Sequence, residues 1–323
     1  MTKKTLMILV VLFHSCDGNV FQQLYDAEEQ DGLFFETEEQ FFVDFYEPQD
    51  IAETGDHQFY EQPDVFVEKY SEPLDEKKDI SGPISAYSQS KWYETLIALL
   101  DLRYKTGHFI VTNVKNPKNQ AQNYAKTSSA QELIKSASTV VHELNHFYNF
   151  EKSSYYNYTY RIRHDLEITV AYFDTFPRNE ILQYVTWDDF YADTYLTGAM
   201  GKQGFDSVLE EFNAYIQSLF TDFSFVDQFN KNIYISSRDG VITFMIYTAL
   251  YLRHARTNEP KTYEKITSNQ KWRDLILTLF GRAEFILETT DKYKNLGIDD
   301  DMLAGKFEQL NLRDEFIMIM NYT

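Results

Sequence analysis

The sequence predicts an α+β fold in which helix predominates and the sheet is small. Long segments beyond Pro83 repeat apolar residues at three- and four-residue steps, the period of a helix with one buried face. A pair of runs rich in Tyr, Thr, Ile and Val, joined by the polar triplet Arg163-His164-Asp165, has the composition of a β-hairpin. With 323 residues, 43% of them hydrophobic and 16% aromatic, the chain can fill a substantial core, which argues against a disordered protein.

The first sixteen residues, MTKKTLMILVVLFHSC, set Lys3 and Lys4 before an apolar run from Leu6 to Phe13, followed by a small residue and Cys16. This is the layout of an export signal, and the run is too short to stay in a bilayer as a permanent span. Cys16 is the only cysteine, so no intramolecular disulfide is expected. Residues 17–79 hold twenty Asp or Glu against three Lys and no Arg, which places −17 of the net charge of −20 there. Acids alternate with aromatics, as in GLFFETEEQFFVDFYEPQD, and Pro48, Pro63, Pro73 and Pro83 interrupt them. Residues 17–83 therefore read as a tether or a prosegment-like region ahead of a helical domain at 84–323. Their Phe and Tyr content is too high for a purely solvated linker. The charge, with a pI near 4.7, weighs against nucleic acid or an anionic membrane surface as a direct partner.

In the domain, SQSKWYETLIALLDLRYKTG places Trp92, Leu96, Leu99, Leu100 and Tyr104 on one face and predicts a helix that stops at Gly107. HFIVTNV, residues 108–114, reads as a strand from its β-branched content. A helix starting at Ser129 follows, because Ser129 and Glu132 fit a capping box. The hairpin comes next. Beyond Pro177, helices are expected at DSVLEEFNAYIQSLF, GVITFMIYTALYLRHAR and WRDLILTLFGRAEFILETT, with Gly198, Gly201 and Gly204 forming a loop before the first.

The helix from Ser129 contains STVVHELNHFYNFE, residues 138–151. Leu133, Ala137, Val140, Val141, Leu144 and Tyr148 make one apolar stripe, and His142 and His146 fall roughly opposite it. Histidines four residues apart on a helix stack one above the other, so two neutral imidazoles can each give a nitrogen to one Zn²⁺ at about 2.0–2.1 Å. Glu143, turned about 100° from His142, is placed as a general base and not as a ligand. A chance H-E-x-x-H in a chain of this size is on the order of one per cent, so coincidence is the weaker explanation.

HELNH resembles the signature of the zincin metallopeptidases. The resemblance covers five residues and implies a zincin-like catalytic domain with an active-site helix and one catalytic zinc. It also implies a water activated by Glu143 that attacks a peptide carbonyl. The metzincin branch requires a histidine at position 152, which is Lys. The gluzincin branch takes its third ligand as a Glu from a later helix, and EFNAY, residues 211–215, is similar to its E-x-x-A box, which makes Glu211 the third ligand. Glu210 competes, but Ser207 three residues before it suggests that Glu210 serves a second capping box. Glu167, Asp189 and Asp193 are further alternatives, although LEITVAYF reads as strand around Glu167. Gluzincins often place an acid four residues after the ligand Glu to orient a zinc histidine. That position is Tyr215 here, with Asp189 or Asp193 as substitutes. Tyr191, Tyr195 and His164 are candidates for stabilising an oxyanion.

Cys16 after its apolar run resembles the lipobox of bacterial lipoproteins, with Phe13 where leucine is commonest and His14 a further departure. That resemblance implies lipidation of Cys16 and a membrane-anchored protein of the cell envelope, the alternative being simple secretion. The expected activity is zinc-dependent hydrolysis of peptide or protein substrates, with strand addition to HFIVTNV as the mode of substrate binding. The rival readings are a non-catalytic cell-envelope binding protein that keeps a zincin fold and a toxin-like effector.

Overall fold

The computed structural model describes residues 77–232 and 234–322, and among these described residues twelve α-helices and one β-hairpin follow one another. The leader, Cys16 and the acidic stretch up to residue 76 lie outside the described residues. Four helices come first: α1 (Ser81–Ser85), α2 (Trp92–Arg103), α3 (Lys105–Asn113) and α4 (Pro117–Gln122). The long α5 (Ala130–Lys152) leads into strands β1 (Asn157–Arg163) and β2 (Leu166–Ala171). After them come α6 (Phe190–Tyr195), α7 (Phe205–Ser224), α8 (Ser237–Asn258), α9 (Pro260–Ser268), α10 (Gln270–Thr290), α11 (Asp300–Gln309) and α12 (Arg313–Met320). The predominantly helical α+β class read from the sequence is the one observed. Among the described residues no helix is long and apolar enough to cross a membrane.

The centre of the fold is α7, which packs on α5, α8 and α10. Phe205, Val208, Leu209, Phe212, Ile216, Leu219, Phe220 and Phe223 are all buried along it. Each such side chain contributes roughly 1.5–3 kcal/mol by leaving water. Phe205 also stacks on Tyr251 of α8, with centroids 4.6 Å apart, and on Trp272 of α10 at 6.0 Å, so one aromatic layer ties three helices together. With nearly all of α7 buried, any polar side chain it carries must find a partner inside the protein.

β1 and β2 pair antiparallel, with Thr159 opposite Thr169 and Arg161 opposite Glu167, and the register slips between Arg161 and Arg163 next to the expected turn. Tyr160, Ile162 and Val170 are buried. The hairpin is also held by buried amides: Asn213 Nδ2 donates to the carbonyl of Arg161 at 3.0 Å, and Gln217 Nε2 to that of Ile162 at 2.9 Å.

Two local expectations are corrected. Residues 108–114 are not a strand: α3 runs from Lys105 to Asn113, and Thr106, Gly107, Ile110 and Val111 are buried at helical spacing. Packing overrides the β-propensity of the isolated segment, and HFIVTNV offers no strand edge to a substrate. Gly107 is likewise not a helix stop. The break falls at Tyr104, between α2 and α3, and a Cβ on Gly107 would come within 2.6 Å of the Tyr104 ring, so the glycine allows that ring to lie across α3. Upstream of α1, Ile80 is buried and Arg103 Nε donates to the carbonyl of Lys78 at 2.8 Å.

Candidate metal centre

The N-terminus of α5 is set by Ser129, whose hydroxyl accepts from the amide of Glu132 at 3.1 Å. The carboxylate of Glu132 meets Lys135 Nζ at 2.7 Å. The predicted apolar stripe is buried from Leu133 to Tyr148. The opposite side is buried as well, because α7 covers it, leaving His142 0% and His146 6% exposed. The histidines therefore sit between two helices.

Helices α5 and α7 run antiparallel, and His142 and His146 both face Glu211. The Nε2 atoms of the two histidines each lie 3.6 Å from Oε2 of Glu211, too long for a hydrogen bond. One ligand atom from each of the three residues falls within 4.8 Å of the others. Four-coordinate bonds of about 2.0–2.2 Å place neighbouring donor atoms about 3.3–3.5 Å apart, close to this spacing. Glu211 is 4% exposed, and its Oε2 accepts no hydrogen bond from the described residues. A buried carboxylate oxygen in that state is costly unless a cation meets it. Two imidazoles and one carboxylate form a donor set that suits zinc.

The outer nitrogens of the two rings are held differently. His142 Nδ1 is 3.1 Å from Ser218 Oγ. His146 Nδ1 bonds the Oε2 of Glu210. A carboxylate accepts, so Nδ1 of His146 carries the hydrogen and Nε2 points at Glu211. Burial pushes His146 down, but the Glu210 and Glu211 carboxylates outweigh it and hold the ring well above the ordinary imidazole value. Burial pushes Glu211 up, and the imidazoles of His146 and His142 outweigh it and hold Glu211 low. A divalent cation between these groups competes with the protons they share.

Glu143 lies beside the cluster at 6% exposure. Burial raises its pKa above the ordinary carboxylate value, against the pull of His142 and His146 and with the repulsion of Glu211 and Glu210. A carboxylate raised in this way is a better proton acceptor.

The candidate residues divide by position. His142, His146 and Glu211 converge, and Glu143 is adjacent in α5. Glu210 does not cap a helix: α7 starts at Phe205 after Gly204, and Ser207, already inside it, donates its hydroxyl to the Gly204 carbonyl at 2.8 Å. Glu210 is thereby a full turn into α7 and faces His146. Glu167 is away from the centre, meeting Arg161 and accepting from the Tyr148 hydroxyl at 3.0 Å. Asp189 caps α6 and accepts from the Tyr247 hydroxyl at 2.8 Å, while Asp193 is exposed. Neither orients a histidine.

Tyr191 gives its hydroxyl to the carbonyl of Ser236 at 3.2 Å, and the hydroxyls of Tyr195 and Tyr215 share a hydrogen bond of 2.8 Å. His164 sits at the hairpin turn with its amide on Thr106 Oγ1. Sequence reasoning missed Ser218, which lies two turns beyond Glu211 on the same face of α7, so helical spacing alone would have found it. The sequence matches no family model, and comparisons with curated proteins and with solved structures return no match.

Proposed function

We propose that the chain is a zinc-dependent hydrolase of peptide bonds, with His142, His146 and Glu211 holding the metal and Glu143 as general base. The observation that carries this reading is the convergence of both histidine Nε2 atoms on the buried Oε2 of Glu211, at 3.6 Å each. Bound there, zinc supplies Lewis acidity that makes a water acidic and polarises a carbonyl. Glu143 takes the proton of the attacking water and returns it to the leaving amine. Ser218 Oγ, 3.1 Å from Nδ1 of His142, leaves the Nε2 of that ring to face inward. The gluzincin kinship of this arrangement, an exported chain, and anchoring in a bacterial envelope through lipidated Cys16 belong to the same proposal and rest on HELNH, EFNAY and the leader.

The test is metal analysis and a peptide-library digest on the purified protein, with Glu143→Gln and His146→Ala beside it. About one zinc per chain is expected in the parent protein. Glu143→Gln should keep the zinc and the fold and lose hydrolysis, and His146→Ala should lose both zinc and hydrolysis. A Glu143→Gln protein as active as its parent would end the mechanism.

A second reading, a non-catalytic envelope binding protein with the same centre, is favoured by one observation. The described sheet has only the two strands of the hairpin, and α3 occupies the segment expected to receive a substrate strand. A zinc-loaded parent protein that cleaves no member of the library would select it.

A further inference from the structure

We infer that Glu210 is a positioning residue for His146, and that it is itself positioned by the docked hairpin through Asn149. The inference rests on reading His142, His146 and Glu211 as a zinc centre.

The chain of contacts starts at the backbone of β1. The amide of Arg161 donates to Asn149 Oδ1 at 2.7 Å. This leaves the Nδ2 hydrogens of Asn149 to donate to Asn145 Oδ1 at 3.2 Å and to Glu210 Oε1 at 3.3 Å. The other oxygen of Glu210 takes His146 Nδ1. Each link fixes the next, because an amide that accepts at its oxygen can only donate at its nitrogen, and a carboxylate can only accept.

The register of this line is enforced from its other side. Asn145 Oδ1 also accepts from Asn213 Nδ2 at 2.9 Å, and Asn213 and Gln217 hold the carbonyls of Arg161 and Ile162. Asn145, Asn149, Asn213 and Gln217 are all buried to 3% exposure or less. Four buried amides with complementary partners form a network that is costly to break at any one point. A hairpin shifted by one residue would withdraw the Arg161 amide, free Asn149 to turn, and leave Glu210 without the donor that aims it.

The two histidines are consequently unequal. His142 leans on a neutral hydroxyl, whereas His146 leans on an anion, which raises its basicity as a ligand. Glu210 supplies that carboxylate from the position just before Glu211. Adjacent residues of α7 are about 100° apart, enough for Glu211 to face both inner nitrogens while Glu210 reaches the outer one.

The test is a zinc titration of the whole chain against a chromophoric chelator, with the visible absorption of the cobalt(II)-loaded protein as a second readout. Glu210→Gln should raise the zinc dissociation constant 10–100-fold and alter the cobalt band, because its amide nitrogen must face either His146 Nδ1 or Asn149 Nδ2. Asn149→Ala should weaken zinc several-fold and shift the band the same way. Ser207→Ala, on the same first turns of α7 but outside the network, should leave both readouts unchanged.

A Glu210→Gln protein with parental zinc affinity and the parental cobalt spectrum would overturn the positioning role while the centre stands. If that variant does not fold, Asn149→Ala decides, and parental behaviour there overturns the inference. If the parent protein binds neither metal, the centre itself is refuted, and this role with it.

Discussion

Tyr215 stands edge-on to His142, with ring centroids 4.8 Å apart and planes at 80°. Gly240, in the first turns of α8, lies against the same ring, and a Cβ added there would fall 2.1 Å from it. The ring cannot give way easily, because Tyr191, Tyr195 and Phe244 also pack against it.

Gly240→Ala is therefore expected to destabilise the protein. Alanine in a helix normally gains about 1 kcal/mol over glycine, while overpacking a filled core costs about 1–3 kcal/mol. The steric term should win by about 1 kcal/mol, and displacement of Tyr215 should carry His142 with it and weaken zinc. Urea unfolding and a zinc titration read the two effects. A more stable variant with unchanged zinc affinity would show that Tyr215 does not brace the histidine.

Removal of metal should lower stability sharply. Glu143, Glu210 and Glu211 crowd two imidazoles in a buried space, and a cation that binds only the folded state adds its binding free energy to folding. At a free zinc concentration 1,000-fold above the dissociation constant this is about 4 kcal/mol. For a domain of this size that corresponds to roughly 10 °C in Tm. Calorimetry with and without a chelator measures it. The Tm of Glu211→Ala should respond to neither zinc nor chelator, and an equal response in both proteins would place the metal elsewhere.

Ser129→Ala should cost about 1 kcal/mol by leaving the Glu132 amide unpaired at the start of α5. Because that end lies more than three turns from His142, zinc affinity should not change. Denaturant midpoints and a zinc titration check the separation; a loss of affinity would mean that the end of α5 sets the histidines.

These expectations rest on features of unequal legibility. The cap at Ser129, the stripe from Leu133 to Tyr148 and the facing of His142 and His146 are matters of local spacing, and each could be read from the chain. Glu211 came instead from the likeness of EFNAY to the gluzincin E-x-x-A box, and spacing alone left Glu210, Glu167, Asp189 and Asp193 beside it. Glu210 was misread because Ser207 supplied a plausible cap, and only the start of α7 at Phe205 removes that role. The burial of the histidine face was hidden because periodicity detects apolar stripes, and α7 covers that side with Glu210, Glu211 and Ser218 among its apolar residues. HFIVTNV was misread because β-branched content reports a local preference, while the burial of Thr106, Gly107, Ile110 and Val111 at helical spacing fixes the segment as helix.

Asp222 should make stability depend on pH. It is 4% exposed and lies one turn beyond Ser218 on α7. Burial pushes its carboxyl up from 3.8 to about 7, against the favourable hydroxyls of Ser138 on α5 and Ser237 on α8. The folded state then holds a proton that the unfolded chain releases, so the contribution of Asp222 is greatest below about pH 4 and is lost as pH rises through about 7. A displacement from 3.8 to about 7 is about three pH units, or on the order of 4 kcal/mol. Asn keeps the shape and cannot ionise. The difference between the unfolding free energies of Asp222→Asn and the parent should therefore favour the variant increasingly from pH 5 to pH 8, by up to a few kcal/mol. Denaturant titrations across that range measure it, and a difference that stays constant with pH would mean that Asp222 is ionised in the core throughout.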